Sequence, residues 1–187
     1  MGRMTRRALA LGFAAVAGLG LAGCDNGIGS GNGAVLDARA DQTLNYMFAE
    51  YPGTRDLASR ASGVLVVPLV TEAGLGLGGS YGQGVLRVNE TTVDYYSVAS
   101  GSAGLQIGAQ QYSYALFFMT DEALSEFRRS PGWAAGADIE YAINDIGDTL
   151  KAETTTSLSP VIAVIFAQAG LRLGASLEGT KYTRIIP

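Results

Sequence analysis

Histidine is absent from the 187 residues, and cysteine occurs once, at position 24. The first absence removes the side chain that most often serves as general base and metal ligand near neutral pH. A single cysteine cannot build a Cys/His zinc site. Ser, Asp, Glu, Lys and Tyr are present, but without His no nucleophile–base pair is visible, so no catalytic residue, no metal and no cofactor is expected. Positive charge is scarce too: 13 Lys and Arg face 17 Asp and Glu, a net charge of −4. That balance argues against a uniformly basic nucleic-acid-binding protein. No uncharged apolar run reaches the ~20 residues that a bilayer span needs.

What is present begins at the N-terminus. Arg3, Arg6 and Arg7 precede an uncharged apolar stretch, Ala8 to Leu19, and small residues then lead into Leu21-Ala22-Gly23-Cys24. The layout is that of a secretory signal, and its end resembles a bacterial lipobox. The resemblance implies transfer of diacylglycerol to the Cys24 sulfur, cleavage before Cys24 and acylation of the new amino group. The alternatives are a membrane helix and a soluble exported domain. Gly12, Gly18 and Gly20 weaken the first, and a leftover thiol in an exported protein needs an explanation that acylation provides. At about 0.8 kcal/mol per buried CH₂, two or three acyl chains anchor firmly where one does not. The chain is thus expected to be a lipoprotein of the cell envelope facing the periplasm. Arg6-Arg7 after Thr5 also resembles a twin-arginine signal, Met4 is a second candidate start, and Asp25 resembles an inner-membrane retention signal. The export route and the choice of membrane stay open.

Cleavage would remove residues 1–23 with three arginines and no acid, leaving 164 residues at net charge −7. An anionic membrane repels such an average surface, so any headgroup site must be a local basic patch. Residues 24–33, rich in Gly, Asn and Ser, read as a tether, and residues 34–187 as one domain. Leu36, Ala40, Leu44, Met47, Phe48 and Tyr51 recur at helical spacing and predict an amphipathic helix from Ala34 to Tyr51. Its mixed, slightly acidic polar face suits packing on a sheet better than lying on a membrane. Pro52-Gly53 ends it, and a second helix is expected from Arg55 to Ala61, capped by Thr54.

From Ser62 onward the pattern is β. Val64 to Val67 suits a buried strand. The glycine peak, Gly74 to Gly84, is followed by Val85-Leu86-Arg87-Val88 instead of a helix and a Lys, which argues against a phosphate loop. Glycines at close backbone approaches or bends are the better reading. Short strands are expected around Val93–Val98, after a Gly101 turn at Leu105–Ala109, and at Tyr112–Met119. Thr120 or Asp121 then caps a helix through Arg129, with Leu124 and Phe127 inward. Further strands are expected at Ala137–Ile143, Pro160–Ala167, Leu171–Leu177 and Thr180–Ile186, with a polar stretch at 145–159. An outer-membrane barrel would need longer alternating strands, whereas Val161 to Ala167 is apolar on both faces. The expected fold is α+β: N-terminal helices on a strongly bent, mostly antiparallel β-sheet or partial barrel of short Gly-rich strands.

Several of these segments, in order, resemble the SYLF lipid-binding domain family. Ala61-Ser62-Gly63-Val64-Leu65-Val66-Val67-Pro68, the Gly74–Gly84 run and Val85-Leu86 resemble its opening. Gly104-Leu105-Gln106-Ile107-Gly108-Ala109-Gln110, Gly136-Ala137-Asp138 and Gly170 to Gly179 resemble its later motifs. Asp94-Tyr95-Tyr96-Ser97-Val98 stands where the family often has a Trp-x-x-Pro-like turn. The resemblance implies a non-enzymatic domain that binds phospholipid, with anionic glycerophospholipids favoured over phosphoinositides in a bacterial envelope. Arg suits phosphate through bidentate hydrogen bonding, which makes Arg55, Arg60, Arg172 and Lys181 the headgroup candidates beside the lipidation site Cys24. Each is also an ordinary solvated charge. Trp133 reads as a cap on the core or an interfacial anchor. The alternative function is a structural or adaptor lipoprotein with a periplasmic protein partner. Lipid binding predicts clustered cations near an apolar groove; the adaptor predicts an exposed apolar patch without cations.

Overall fold

A computed structural model describes residues 32–135, 139–143, 159–170, 177 and 179–187, and of these only the backbone for 75–76, 102–107, 139–143 and 168–170. The export signal, Cys24, Arg172, Gly136-Ala137-Asp138 and most of the closing glycine motif lie outside the described residues.

Helix α1 runs Asn32–Glu50 and buries Leu36, Ala40 and Met47, the stripe read from the sequence. It starts two residues earlier than expected, inside the assigned tether. Helix α2, Gly53–Arg60, follows at once. Thr54 does not cap it. Its side chain is fully buried and donates from Oγ1 to the Tyr51 carbonyl 2.7 Å away, tying the two helices together.

The largest departure from expectation is strand length. Strands β1 (Gly63–Val88) and β2 (Thr91–Phe118) are 26 and 28 residues long and form one antiparallel hairpin. A two-residue turn joins them, with positive φ at Asn89 (50°) and Glu90 (63°), the geometry that matches strand twist. The glycines that punctuate the sequence do not break these strands; they bend them. A methyl group at Gly82 would stand 2.8 Å from the Leu69 carbonyl oxygen, and one at Gly84 would stand 2.9 Å from Val67 Cγ2. Val66 and Val85, 19 positions apart on β1, share one apolar cluster with Leu36 and Ala40. β1 therefore doubles back so that its two halves lie against each other. Gly101 is no turn: it sits within β2, paired with Gly79. Register slips between Val67 and Val70, where Pro68 has no N–H to donate, and again between Leu75 and Leu77.

Strands β3 (Trp133–Ala134), β4 (Ile139–Ile143), β5 (Val161–Gly170) and β6 (Lys181–Ile185) complete a strongly curled sheet in the order β3-β6-β2-β5-β4, with β1 also on β2. Among the described strands, only β4 and β5 run parallel. β2 is the spine, holding β1 along its length, β6 at Tyr95–Ala99 and β5 at Gln110–Phe118. The architecture is α+β with the N-terminal helices on a bent, mostly antiparallel sheet, as the sequence implied, although the strands that bend are long.

Alternation along the strands separates two faces. One carries Leu65, Leu86, Tyr96, Val98, Tyr114, Leu116, Phe118, Ile165 and Tyr182 and is closed by helix α3, Asp121–Arg129, through Leu124 and Phe127. The other carries Ala115, Phe117, Ile162, Val164 and Phe166 and is closed by Met47 of α1 and Leu57 of α2. β5 is buried on both sides from Val161 to Phe166, as its continuous apolar run required. Among the described residues no helix is long and apolar enough to cross a membrane.

Candidate functional site

Helix α3 forms where the sequence places it. Thr120 is its N-cap and accepts from the Ala123 N–H at 3.2 Å; Asp121 and Glu122 lie in the first turn, Arg128 and Arg129 in the last. Both charge placements favour the helix dipole. Its inner face is fixed by Phe127, whose ring lies 4.6 Å from Tyr96, 4.7 Å from Phe118, 5.3 Å from Trp133 and 5.7 Å from Tyr182. Trp133 thus caps the core. With Phe127 inward, the C-terminal arginines are carried to the rim of the sheet.

There they meet β2 and β6. The Asp94 carboxylate, only 12% exposed, accepts from Arg128 Nε at 2.9 Å and lies 3.4 Å from Arg184 Nε. Arg184 also donates to the Arg128 carbonyl at the open end of α3, and it pairs across the strands with Tyr96, whose hydroxyl is buried without a hydrogen-bond partner among the described residues. Burial pushes the Tyr96 hydroxyl above its ordinary pKa, while Arg184 pulls the other way; Tyr96 and Asp94 raise that of Arg184. The side chains of Arg128 and Arg184 are about half exposed. With Arg129 they border a depression of about 370 Å³, shared with Asp121, Leu124 and Ser125. Each guanidinium has five donors in a fork, and Asp94 engages only the Nε side of two of them. Two arginines fixed by Asp94, with Arg129 lining the same depression, can take an anionic oxygen group such as a phosphate. A second depression, on the outer side of α3, is lined by Asp121, Glu122 and Glu126 with Arg129; its charge is wrong for an anion.

A different polar knot fastens α1. Arg87 pairs with Asp41 at 2.7 Å, and Asp37 accepts from Thr92 at 2.8 Å and from the Tyr95 hydroxyl at 3.0 Å. Burial first, then the Asp37 hydrogen bond, raise the Tyr95 pKa.

Residues 99–184 match the family model described as Ysc84, Las17-binding protein actin regulator. That stretch of the chain, a little under half of it, is similar to the Ysc84, or SYLF, family. The match takes in Arg128, Arg129 and Arg184 but begins after Asp94, so the β1 segments that resemble the family's opening stand outside it. No curated protein matches the chain.

Of the cations expected at a headgroup site, Arg55, Arg60 and Lys181 lie on separate partners, and Arg172 lies outside the described residues. Arg55 lies over the Phe48 ring at 4.9 Å, and Arg60 pairs with Asp56, one turn earlier on α2, at 2.8 Å. Lys181 is exposed on β6 with its chain laid over Gly132, where a methyl would come within 2.7 Å of Cε. The cluster of Arg128, Arg129 and Arg184 is not among the cations that the sequence motifs point to. Arg128-Arg129 at the end of a well-signalled helix was a clue, but its convergence with Asp94 and Arg184, 34 and 56 positions away in sequence, is set by the fold.

Proposed function

We propose that this protein is a lipid-anchored envelope lipoprotein whose Ysc84-type domain binds anionic phospholipid headgroups without catalysing a reaction. The observation that carries this reading is the cluster of Arg128, Arg129 and Arg184 around one depression, in a chain otherwise poor in cations. Asp94 holds two of the guanidiniums in place and prevents their full charge from being left uncompensated. The family's description names an actin regulator; for a chain with an export signal and a lipobox-like Cys24, a membrane surface is the available partner and actin is not. Palmitate or a related acyl chain on Cys24 would supply the anchor, and the arginines the headgroup contact.

The test is vesicle co-sedimentation of the full chain carrying Cys24→Ser, so that only the protein surface can contact lipid. Binding to phosphatidylglycerol vesicles and not to phosphatidylcholine, weakened by salt, is expected. At about 1 kcal/mol for each basic residue near an anionic surface, Arg128→Gln or Arg184→Gln should each weaken it about fivefold. Arg60→Ala should change little. Absence of binding to any vesicle would reject the headgroup reading.

A second reading has its own observation. Leu69, Leu77 and Tyr81 are 47%, 77% and 56% exposed around the bend of β1, in a stretch from 64 to 86 with no Lys or Arg. An apolar patch without cations is what an adaptor that binds a protein partner would present.

A further inference from the structure

The start of α1, the last residues of the chain and the arginine cluster share one end of the sheet. A methyl at Gly33 would lie 3.1 Å from the Tyr95 hydroxyl oxygen and 3.4 Å from Pro187 Cγ. Tyr95 pairs with Ile185, and Tyr96 with Arg184, so the point where the chain enters the domain lies within one or two residues of Asp94 and Arg184. Among the described residues, three exposed large apolar side chains lie at this end of the sheet: Val35 in the first turn of α1, Val93, which strand alternation puts on the opposite face from Asp94, and Ile186, which is 74% exposed. Arginine and exposed aliphatic side chains at one end are the composition of a membrane-resting surface: the charges meet phosphate while the apolar groups leave water.

Chain length restricts which end can meet the bilayer. Eight peptide steps separate Cys24 from Asn32, at most about 29 Å when fully extended. A compact body of this size is about 40 Å across. The tether is therefore shorter than the domain it holds, and the end where it enters is kept at the membrane. The rest of the surface, net acidic, is repelled by anionic lipid.

We infer that the end of the sheet bearing Arg128, Arg129, Arg184, Val35, Val93 and Ile186 docks on the anionic surface of the same bilayer that holds the Cys24 lipid, leaving the bend of β1 with Leu77 and Tyr81 pointing away from it. This rests on the reading of Cys24 as lipidated and of the arginines as a headgroup site. It adds that the two contacts act together, in cis, and fix the orientation of the domain.

The lipidated full chain, purified from membranes and reconstituted in mixed phosphatidylethanolamine–phosphatidylglycerol vesicles, provides the test. With the Cys24 thiol consumed, Ile186→Cys and Tyr81→Cys each introduce one labelling site for an environment-sensitive fluorophore. The expected result is a blue shift and quenching by a lipid-borne quencher at position 186 and neither at position 81. High salt, or Arg128→Gln with Arg184→Gln, should abolish the shift at 186 while the protein still floats with the vesicles. The salt arm needs no variant that could misfold. Chains that fail to float would overturn the anchor reading and the docking with it. Chains that float with both positions water-exposed, or with position 81 buried instead, would overturn the docking and leave the anchor standing. A shift at 186 that is unchanged by salt would overturn the role given to the arginines.

Discussion

Phe127 shows how one side chain can organise a site without touching a ligand. It is fully buried and surrounded by four aromatic rings contributed by β2, β3 and β6. Its position sets the rotation of α3, and that rotation delivers Arg128 to Asp94. Phe127→Ala should cost about 3–5 kcal/mol, the range for aromatic truncation in a packed core. Chemical denaturation would read this, and Phe127→Leu should recover most of it. The tyrosines next to the cluster make a pH-dependent contribution with a definite sign. Tyr95 and Tyr96 both have pKa values raised in the folded state, chiefly by burial. The folded protein therefore holds these protons more tightly than the unfolded chain, whose tyrosines titrate near about 10. Their contribution is complete below that pH and is lost as pH rises through the higher folded values. The urea midpoint should fall above about pH 10, and Tyr95→Phe should flatten that fall while costing the Asp37 hydrogen bond at neutral pH.

At the scale of elements, what the sequence revealed and what it concealed have different physical causes. The stripe of α1, the Thr120 cap and the two-sided burial of β5 are local or periodic signals, and each appears where it was read. Strand length was misread because glycine is the common signal of turns, and nothing local distinguishes a glycine that ends a strand from one that lets two strand halves touch. The difference lies across the fold: Gly82 faces the Leu69 carbonyl, whereas nothing lies within 4 Å of a methyl built at Gly101. The two positions should therefore respond oppositely. Gly82→Ala forces backbone apart and should cost about 1–3 kcal/mol, as overpacking does. Gly101→Ala should be neutral or stabilise by about 0.4–1 kcal/mol by restricting the unfolded chain. Thermal melts of the pair would check this, and equal losses at both would mean that the doubled-back packing of β1 is not what these glycines serve. The arginine cluster was hidden for a related reason. Arg55, Arg60 and Lys181 stand near the motifs in sequence, but the fold gathers cations from α3 and β6 around a carboxylate on β2.

For the whole molecule, the decisive feature is how unevenly a small amount of positive charge is distributed. A chain with net charge −4, and −7 without residues 1–23, has no general attraction for an anionic surface; any attraction must come from the end where Arg128, Arg129 and Arg184 stand together. If Cys24 is acylated and the arginines meet headgroups, as proposed, two terms set membrane occupancy and separate experimentally. An acyl anchor would depend on buried CH₂ groups and be insensitive to salt. The arginine term acts over a Debye length, which shrinks from roughly 14 Å to 4 Å between 50 mM and 500 mM salt by the scaling that gives about 10 Å at 0.1 M. Three basic residues at about 1 kcal/mol each place the electrostatic part near a hundredfold in partitioning. The chain carrying Cys24→Ser should lose most of its binding to phosphatidylglycerol vesicles across that salt range, while the lipidated chain stays bound throughout. Binding by the Cys24→Ser chain that persisted undiminished at high salt would instead point to insertion of apolar side chains such as Ile186 as the dominant contact. Loss of the lipidated chain along with it would mean that Cys24 carries no anchor.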